Sequence, residues 1–147
     1  MVVVLIIAIL IAIAIPTFLG ARQRAGDRAV ESNVRNAFTA TRIYYTDKQY
    51  YTTSATEMIQ IEPSLSWVTT PLDGSSAENS VFISVYDIPS TAQTVIVGAR
   101  TSIGRCFFLK DVMGGATSGT YFAKNVSGNA TCSAPDPADP SWGDTWG

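Results

Sequence analysis

Histidine is absent from the 147 residues. That removes the serine–histidine and cysteine–histidine nucleophile pairs and every histidine metal site at once. The two cysteines, Cys106 and Cys132, cannot complete a structural zinc site. Their available chemistry is oxidation to each other, which suits an oxidising compartment. A bridge would close a loop of about 27 residues and contribute roughly 3.5 kcal/mol in the chain-entropy model. Two free buried thiols are the alternative. The bridge is the stronger reading because the second half of the chain is rich in glycine and proline and poor in core residues. Inside the loop, Asn125-Val126-Ser127 and Asn129-Ala130-Thr131 match the glycosylation acceptor pattern, a short motif read here only as a sign of surface exposure. Asp136, Asp139 and Asp144 suggest calcium, but their spacing misses the known calcium loop, and a solvated acidic tail is the better reading. No glycine-rich phosphate loop is present. The chain reads as a non-enzyme with no cofactor.

Charge points the same way. Only 15% of residues are charged, against about 25% in ordinary proteins. The net charge of -2 excludes a strongly basic nucleic-acid binder, so no specific nucleic-acid partner is expected. The charge is also divided: residues 1–53 carry six basic and three acidic groups, and residues 54–147 carry four basic and nine acidic. The first part could attract the second part of a neighbouring copy, or both could be solvated faces.

The apolar residues are unevenly placed. All fifteen residues from 1 to 15 are apolar, so a helix there has no water-facing side. Continuing through Pro16, Thr17, Phe18 and Leu19, the run reaches 19 residues before the first charge at Arg22. A membrane span needs roughly 17–25 predominantly apolar residues. A signal peptide would use Ala12-Ile13-Ala14 as its cleavage site, but no basic segment precedes it. A buried core helix would need protein on every side, and the remaining chain is too small. The run therefore belongs in lipid or among copies of itself.

Helical spacing continues beyond the run. Val30, Val34, Phe38 with Ala37, Thr41, and Tyr45 with Tyr44 form one amphipathic stripe, and Arg22, Arg24, Asp27, Arg28, Glu31 and Arg35 decorate the other faces. The breakers are Pro16, Gly20 and Gly26. One helix to about residue 52 would be about 78 Å long. The remaining 95 or so residues, if compact, have a radius of gyration of roughly 12 Å. The chain thus divides into a helix over 1–53, with an apolar spine at 1–21 and an amphipathic half at 22–53, and a C-terminal body over 54–147. Only the amphipathic half can pack on the body. The spine must occupy a membrane or a polymer core.

In the body, residues 80–86, 94–99 and 105–110 read as strands by β-branched and aromatic content. Residues 121–123 and 67–69 are weaker fourth and fifth pieces. Short connections predict antiparallel neighbours. Residues 134–140 hold three prolines and predict an extended surface segment.

The opening stretch ending in Ala14-Ile15-Pro16, followed by Arg22-Gln23-Arg24, strongly resembles the N-terminal helix of a type IV pilin, in order and in spacing, over residues 1 to about 50. The resemblance implies an α+β fold, a long N-terminal α-helix packed on an antiparallel β-sheet, with a C-terminal loop often closed by a disulfide. It implies a subunit of an extracellular helical filament whose partners are copies of itself. It further implies an inner-membrane assembly machinery with an ATPase, a prepilin peptidase acting on the precursor, and residence in the cytoplasmic membrane before assembly. The sequence departs from the family at its start. The basic leader, the peptidase site and the Phe-Thr-Leu-x-Glu-like opening are not in it, and its first acidic residue is Asp27. Aligned at Pro16, Met1 falls a few residues inside the mature helix. Either the chain given is truncated, or the subunit lacks the usual glutamate. Arg22, Arg24 and Arg28 alone would place the C-terminal side of the run in the cytoplasm, a conflict with a disulfide-bonded body that a basic leader would remove.

Filament packing is expected to use Val4, Leu5, Ala8, Ile9, Ala12, Ile15, Phe18 and Leu19. Lipid is as apolar as a neighbouring spine, so leaving the membrane gains little from hydrophobicity and relies on packing, with Ala8 and Ala12 allowing close approach. Val30, Val34, Phe38 and Tyr45 are expected to pack the helix on the sheet. In the filament an interruption is expected at Ile13, Ala14, Ile15 and Pro16, with Gly20 one turn on, because proline removes one hydrogen bond and clashes one turn back. Three other readings stand beside this one: a pseudopilin of a type II-like secretion system, a membrane-anchored enzyme, and a conductive fibre subunit built on Phe18, Phe38, Tyr44, Tyr45, Tyr50 and Tyr51. The lack of catalytic groups weighs against the enzyme, and aromatic residues at helical spacing are more often core than conductor.

Overall fold

The computed structural model describes residues 1–87, 93–125 and 131–146, with the side chains of 14–17 and 87 outside the description. Seven elements follow in order: α1 (Val2–Lys48), α2 (Ala55–Ile61), β1 (Ser66–Val68), β2 (Ser80–Asp87), β3 (Gln93–Arg100), β4 (Cys106–Met113) and β5 (Gly119–Asn125). The fold is α+β, one long helix laid across a five-stranded, mostly antiparallel sheet in the order β1-β2-β3-β4-β5.

At 47 residues, α1 is about 70 Å long. It buries Val30, Val34, Ala37, Ala40, Thr41 and Tyr44. These side chains meet Val81 and Ile83 of β2, Val95 and Val97 of β3, and Phe107 and Leu109 of β4. The buried line runs through Ala37 and Tyr44, with Phe38 and Tyr45 half-buried at its margin. A step of eight residues overshoots two turns of a 3.6-residue helix, while seven stays closer to the seam.

Strands β3 and β4 are buried on both faces, which is why they read as near-continuous apolar runs. The face away from α1 holds Phe82, Ile96, Phe108 and Ala123 beneath Leu72, Cys132 and Trp142. Gly98 has a definite reason to be glycine. A Cβ there would run into the ring of Phe108, its cross-strand partner.

Two expectations need correction. The helix ends at Lys48 rather than near 52, because Gln49 turns left-handed at φ 63° and Tyr51 is drawn into the body by contacts described below. The chain then enters α2, whose N-cap Ser54 accepts from the Glu57 backbone N–H. The Ser54-x-x-Glu57 spacing is a capping signature visible in the sequence. Strand β1 runs parallel to β2, not antiparallel, since residues 69–79 return along the face away from α1, where Leu72 is buried, instead of forming a hairpin. Residues 134–140 lie at the surface without regular structure, and the chain turns back onto the body only after them. Gly143 pairs with Phe122 along the open edge of β5, and Trp146 is buried between β4, β5 and the helix.

Through the Pro16 region α1 is helical without a break. The interruption expected at Ile13, Ala14, Ile15, Pro16 and Gly20 is therefore not a feature of the single chain. Opening that segment would strip several carbonyls of their partners, and one chain offers nothing to replace them. A kink that costs a single hydrogen bond is cheaper. The expectation concerns the packed polymer, where neighbouring protein can take the freed groups.

Candidate assembly surface

The exposed half of α1 is the dominant surface feature. An 18-residue window of α1 is long and apolar enough to cross a membrane, and none of it is buried by the rest of the chain. Val4, Leu5, Ala8, Ile9, Ala12, Phe18 and Leu19 are all exposed, while the side chains of Ala14, Ile15 and Pro16 lie outside the described residues. Residues 1–18 project about 27 Å along the axis, close to the roughly 30 Å hydrocarbon thickness of a bilayer. A contiguous apolar surface of this size on a folded chain marks an interface with lipid or protein.

The head begins to touch α1 where the spine ends. Leu19, Arg22, Gln23 and Gly26 line one side of a 260 Å³ groove, with Thr101, Ser102 and Ile103 on the other. There Arg105 donates to Asp27 at 2.6 Å, tying the β3–β4 connection to the helix. The other carboxylate oxygen of Asp27, Oδ1, is buried and has no hydrogen-bond partner among the described residues. Arg22, Arg24 and Arg28 stand exposed around this junction.

A buried polar cluster fixes the helix at its far end. Asp111 of β4 faces α1 with its side chain fully buried. Arg42 donates to both its oxygens, at 2.9 and 2.7 Å. The Tyr51 hydroxyl donates to Oδ2 at 2.6 Å and Thr120 to Oδ1 at 3.1 Å. The Tyr51 backbone N–H donates to Gln93 at 2.6 Å. One carboxylate thus joins α1, the chain after it, β4 and β5. Its hydrogen bond holds the Arg42 pKa above the ordinary value. Burial, then the hydrogen bond to Asp111, push the Tyr51 hydroxyl far up. The sequence reading missed this cluster. Its signal was the Lys110-Asp111 pair inside an otherwise apolar strand, where alternation sends one charge to each face.

Cys106 and Cys132 form a disulfide with Cα atoms 5.6 Å apart. It is buried and pins the segment around Cys132 onto β4, where Cys132 also pairs with Leu72 through two backbone hydrogen bonds. Asn125 is exposed at the end of β5, and Asn129 lies outside the described residues. Asp136 and Asp139 accept backbone N–H groups of Ala138 and Ser141 in local turns. Among the described residues no three His, Cys, Asp or Glu side chains gather as metal ligands.

The aromatic residues are used locally. Tyr44 meets Tyr50 edge-on at 5.8 Å, and Tyr45 meets Tyr51 at 4.7 Å. Phe38 lies under the Arg42 guanidinium at 4.9 Å. Phe18 is exposed on the spine, about 30 Å along the helix from Phe38. No family model, curated protein or solved structure matches the chain.

Proposed function

We propose that this chain is the structural subunit of an extracellular helical filament of the type IV pilus class, held in the cytoplasmic membrane by its apolar helix before assembly. The observation that carries the reading is the division of α1. Its second half is built into the head, while an apolar window of membrane-spanning length has no partner in its own chain. Copies of the same spine, packed side by side, would bury that surface and leave the disulfide-bonded heads outside. The Asp27–Arg105 pair and the Asp111 cluster support the reading, because they hold the head rigidly on the helix. Force carried along a filament would otherwise peel the two apart. An assembly ATPase and a prepilin peptidase are the partners the reading requires.

Negative-stain imaging of shed surface material from cells producing the chain tests it. Long filaments labelled by antibody to the head are expected. A cell-bound pool without long filaments would instead favour a pseudopilin, and a chain that stays monomeric in the membrane would overturn the filament reading.

A further inference from the structure

On the face of the sheet turned away from α1, a cavity of about 370 Å³ opens between β3, β4, β5 and the C-terminal tail. That volume is within the range of small-molecule sites, about 300–1,000 Å³. Lys110, Thr94, Tyr121, Trp142, Thr117 and Asp139 are among its lining residues.

Two of these side chains are buried with unmet needs. Lys110 is only 7% exposed. Its ammonium donates to the Pro137 carbonyl at 2.8 Å and lies 4.5 Å from the Tyr121 ring centre and 4.7 Å from that of Trp142. An ammonium has three N–H donors, and among the described residues no carboxylate forms an ion pair with this one. Burial accordingly lowers its pKa. Thr94 is 1% exposed, and its hydroxyl has no hydrogen-bond partner among the described residues. A buried polar group left unsatisfied is costly, about 1–3 kcal/mol. Both residues line one cavity, and a ligand seated there would complete them.

The lining narrows its chemistry. A lone buried cation calls for a single negative charge. Asp139 stands at the rim, ionised and holding the Ser141 N–H, and it would repel a dianion such as phosphate. The same carboxylate, with the hydroxyls of Thr94 and Thr117, suits a ligand carrying several hydroxyl groups. The rings of Tyr121 and Trp142 suit the apolar C–H face of a sugar ring.

We propose that this cavity is a binding site for a carboxylated sugar ring of the hexuronate type. The carboxylate pairs with the Lys110 ammonium, the ring lies against Tyr121 and Trp142, and its hydroxyls meet Thr94 and Asp139. The site is independent of what covers the apolar helix, so it stands or falls apart from the filament reading.

The test uses the full chain, isotopically labelled, in micelles of a polyoxyethylene detergent that carries no sugar. The indole N–H signals of the three tryptophans report separately. Trp142 donates to the Asp136 carbonyl at the cavity, while Trp67 and Trp146 donate to Glu62 and Phe108 elsewhere. Glucuronate should shift the Trp142 signal saturably and leave the other two in place. Its affinity should exceed those of methyl glucoside, which lacks the charge, and benzoate, which lacks the hydroxyls, by about tenfold or more. Lys110→Met should abolish the shift, and Thr94→Val should weaken glucuronate by about fivefold, a loss of one hydrogen bond. Persistence of the native Trp67 and Trp146 indole positions, which lie away from the cavity, will show that each variant is folded. If Lys110→Met does not fold, Thr94→Val carries the decision, because unchanged affinity there overturns the site. No saturable shift up to about 50 mM glucuronate, equal binding of methyl glucoside or benzoate, or full binding by folded Lys110→Met would each overturn it as well.

Discussion

Removing Arg42 should destabilise the head more than removing the carboxylate it pairs with. The asymmetry comes from burial. The side chain of Arg42 is 45% exposed and that of Asp111 is fully buried. Arg42→Met leaves a buried carboxylate with only Tyr51 and Thr120 as donors. Breaking a buried pair in this way costs about 3–5 kcal/mol, and the partial exposure of Arg42 places the expected loss near the lower bound, about 3 kcal/mol. Asp111→Asn releases a guanidinium that can turn to water, keeps an acceptor for Tyr51, and should cost about 1.5–2 kcal/mol. The triple change Arg42→Met, Asp111→Leu, Tyr51→Phe removes every charge and the buried hydroxyl together. It should recover to within about 1 kcal/mol of the starting chain, since apolar replacement of a buried ion pair is often neutral. Urea titration of the chain in nonionic micelles, followed by tryptophan fluorescence, measures all three. If Asp111→Asn proves as damaging as Arg42→Met, or the triple variant remains as unstable as the singles, the cluster does not hold the helix by paired burial.

Four further outcomes are expected. The raised Tyr51 pKa makes the folded chain keep a proton that the unfolded chain loses above pH 10, so stability should fall there by up to about 1.4 kcal/mol per pH unit, and Tyr51→Phe should make the alkaline slope shallower by one proton. Gly98→Ala forces a methyl group into the Phe108 ring and should cost about 1–3 kcal/mol, read as a lowered melting temperature with the disulfide intact. Deleting residues 1–21 should leave a soluble, cooperatively folding monomer, because burial on α1 begins at Val30; aggregation of that fragment would refute the division into spine and body. In the proposed filament, α1 should lose its helical hydrogen bonds over residues 13–16 and regain them by Ala21, and a map with continuous bonds from Ala8 to Arg24, apart from the one proline, would contradict this.

Local pattern was enough for the long helix, the three central strands and the cysteine pair. An unbroken apolar run has one physical meaning wherever it sits, since no face of it can meet water. The stripe from Val30 to Tyr45 and the β-branched runs of β2, β3 and β4 are likewise properties of neighbouring residues. Two cysteines allow only one intramolecular pairing. Helix α2 was also written locally, in Ser54-x-x-Glu57, and passed unread among the threonines around it.

Other features depended on residues far apart in sequence. Lys110 and Asp111 are adjacent, yet one faces a cavity between two aromatic rings and the other anchors α1. Alternation says that they part; it does not say which partners wait on each side. Arg42 and Tyr51 come from 69 and 60 residues away. The direction of β1 and the inward turn of Trp146 under the helix were decided in the same way, by which edges and gaps the completed sheet left open. Such contacts depend on the sheet's register and on the volume left to fill, and neither quantity exists until the chain has folded.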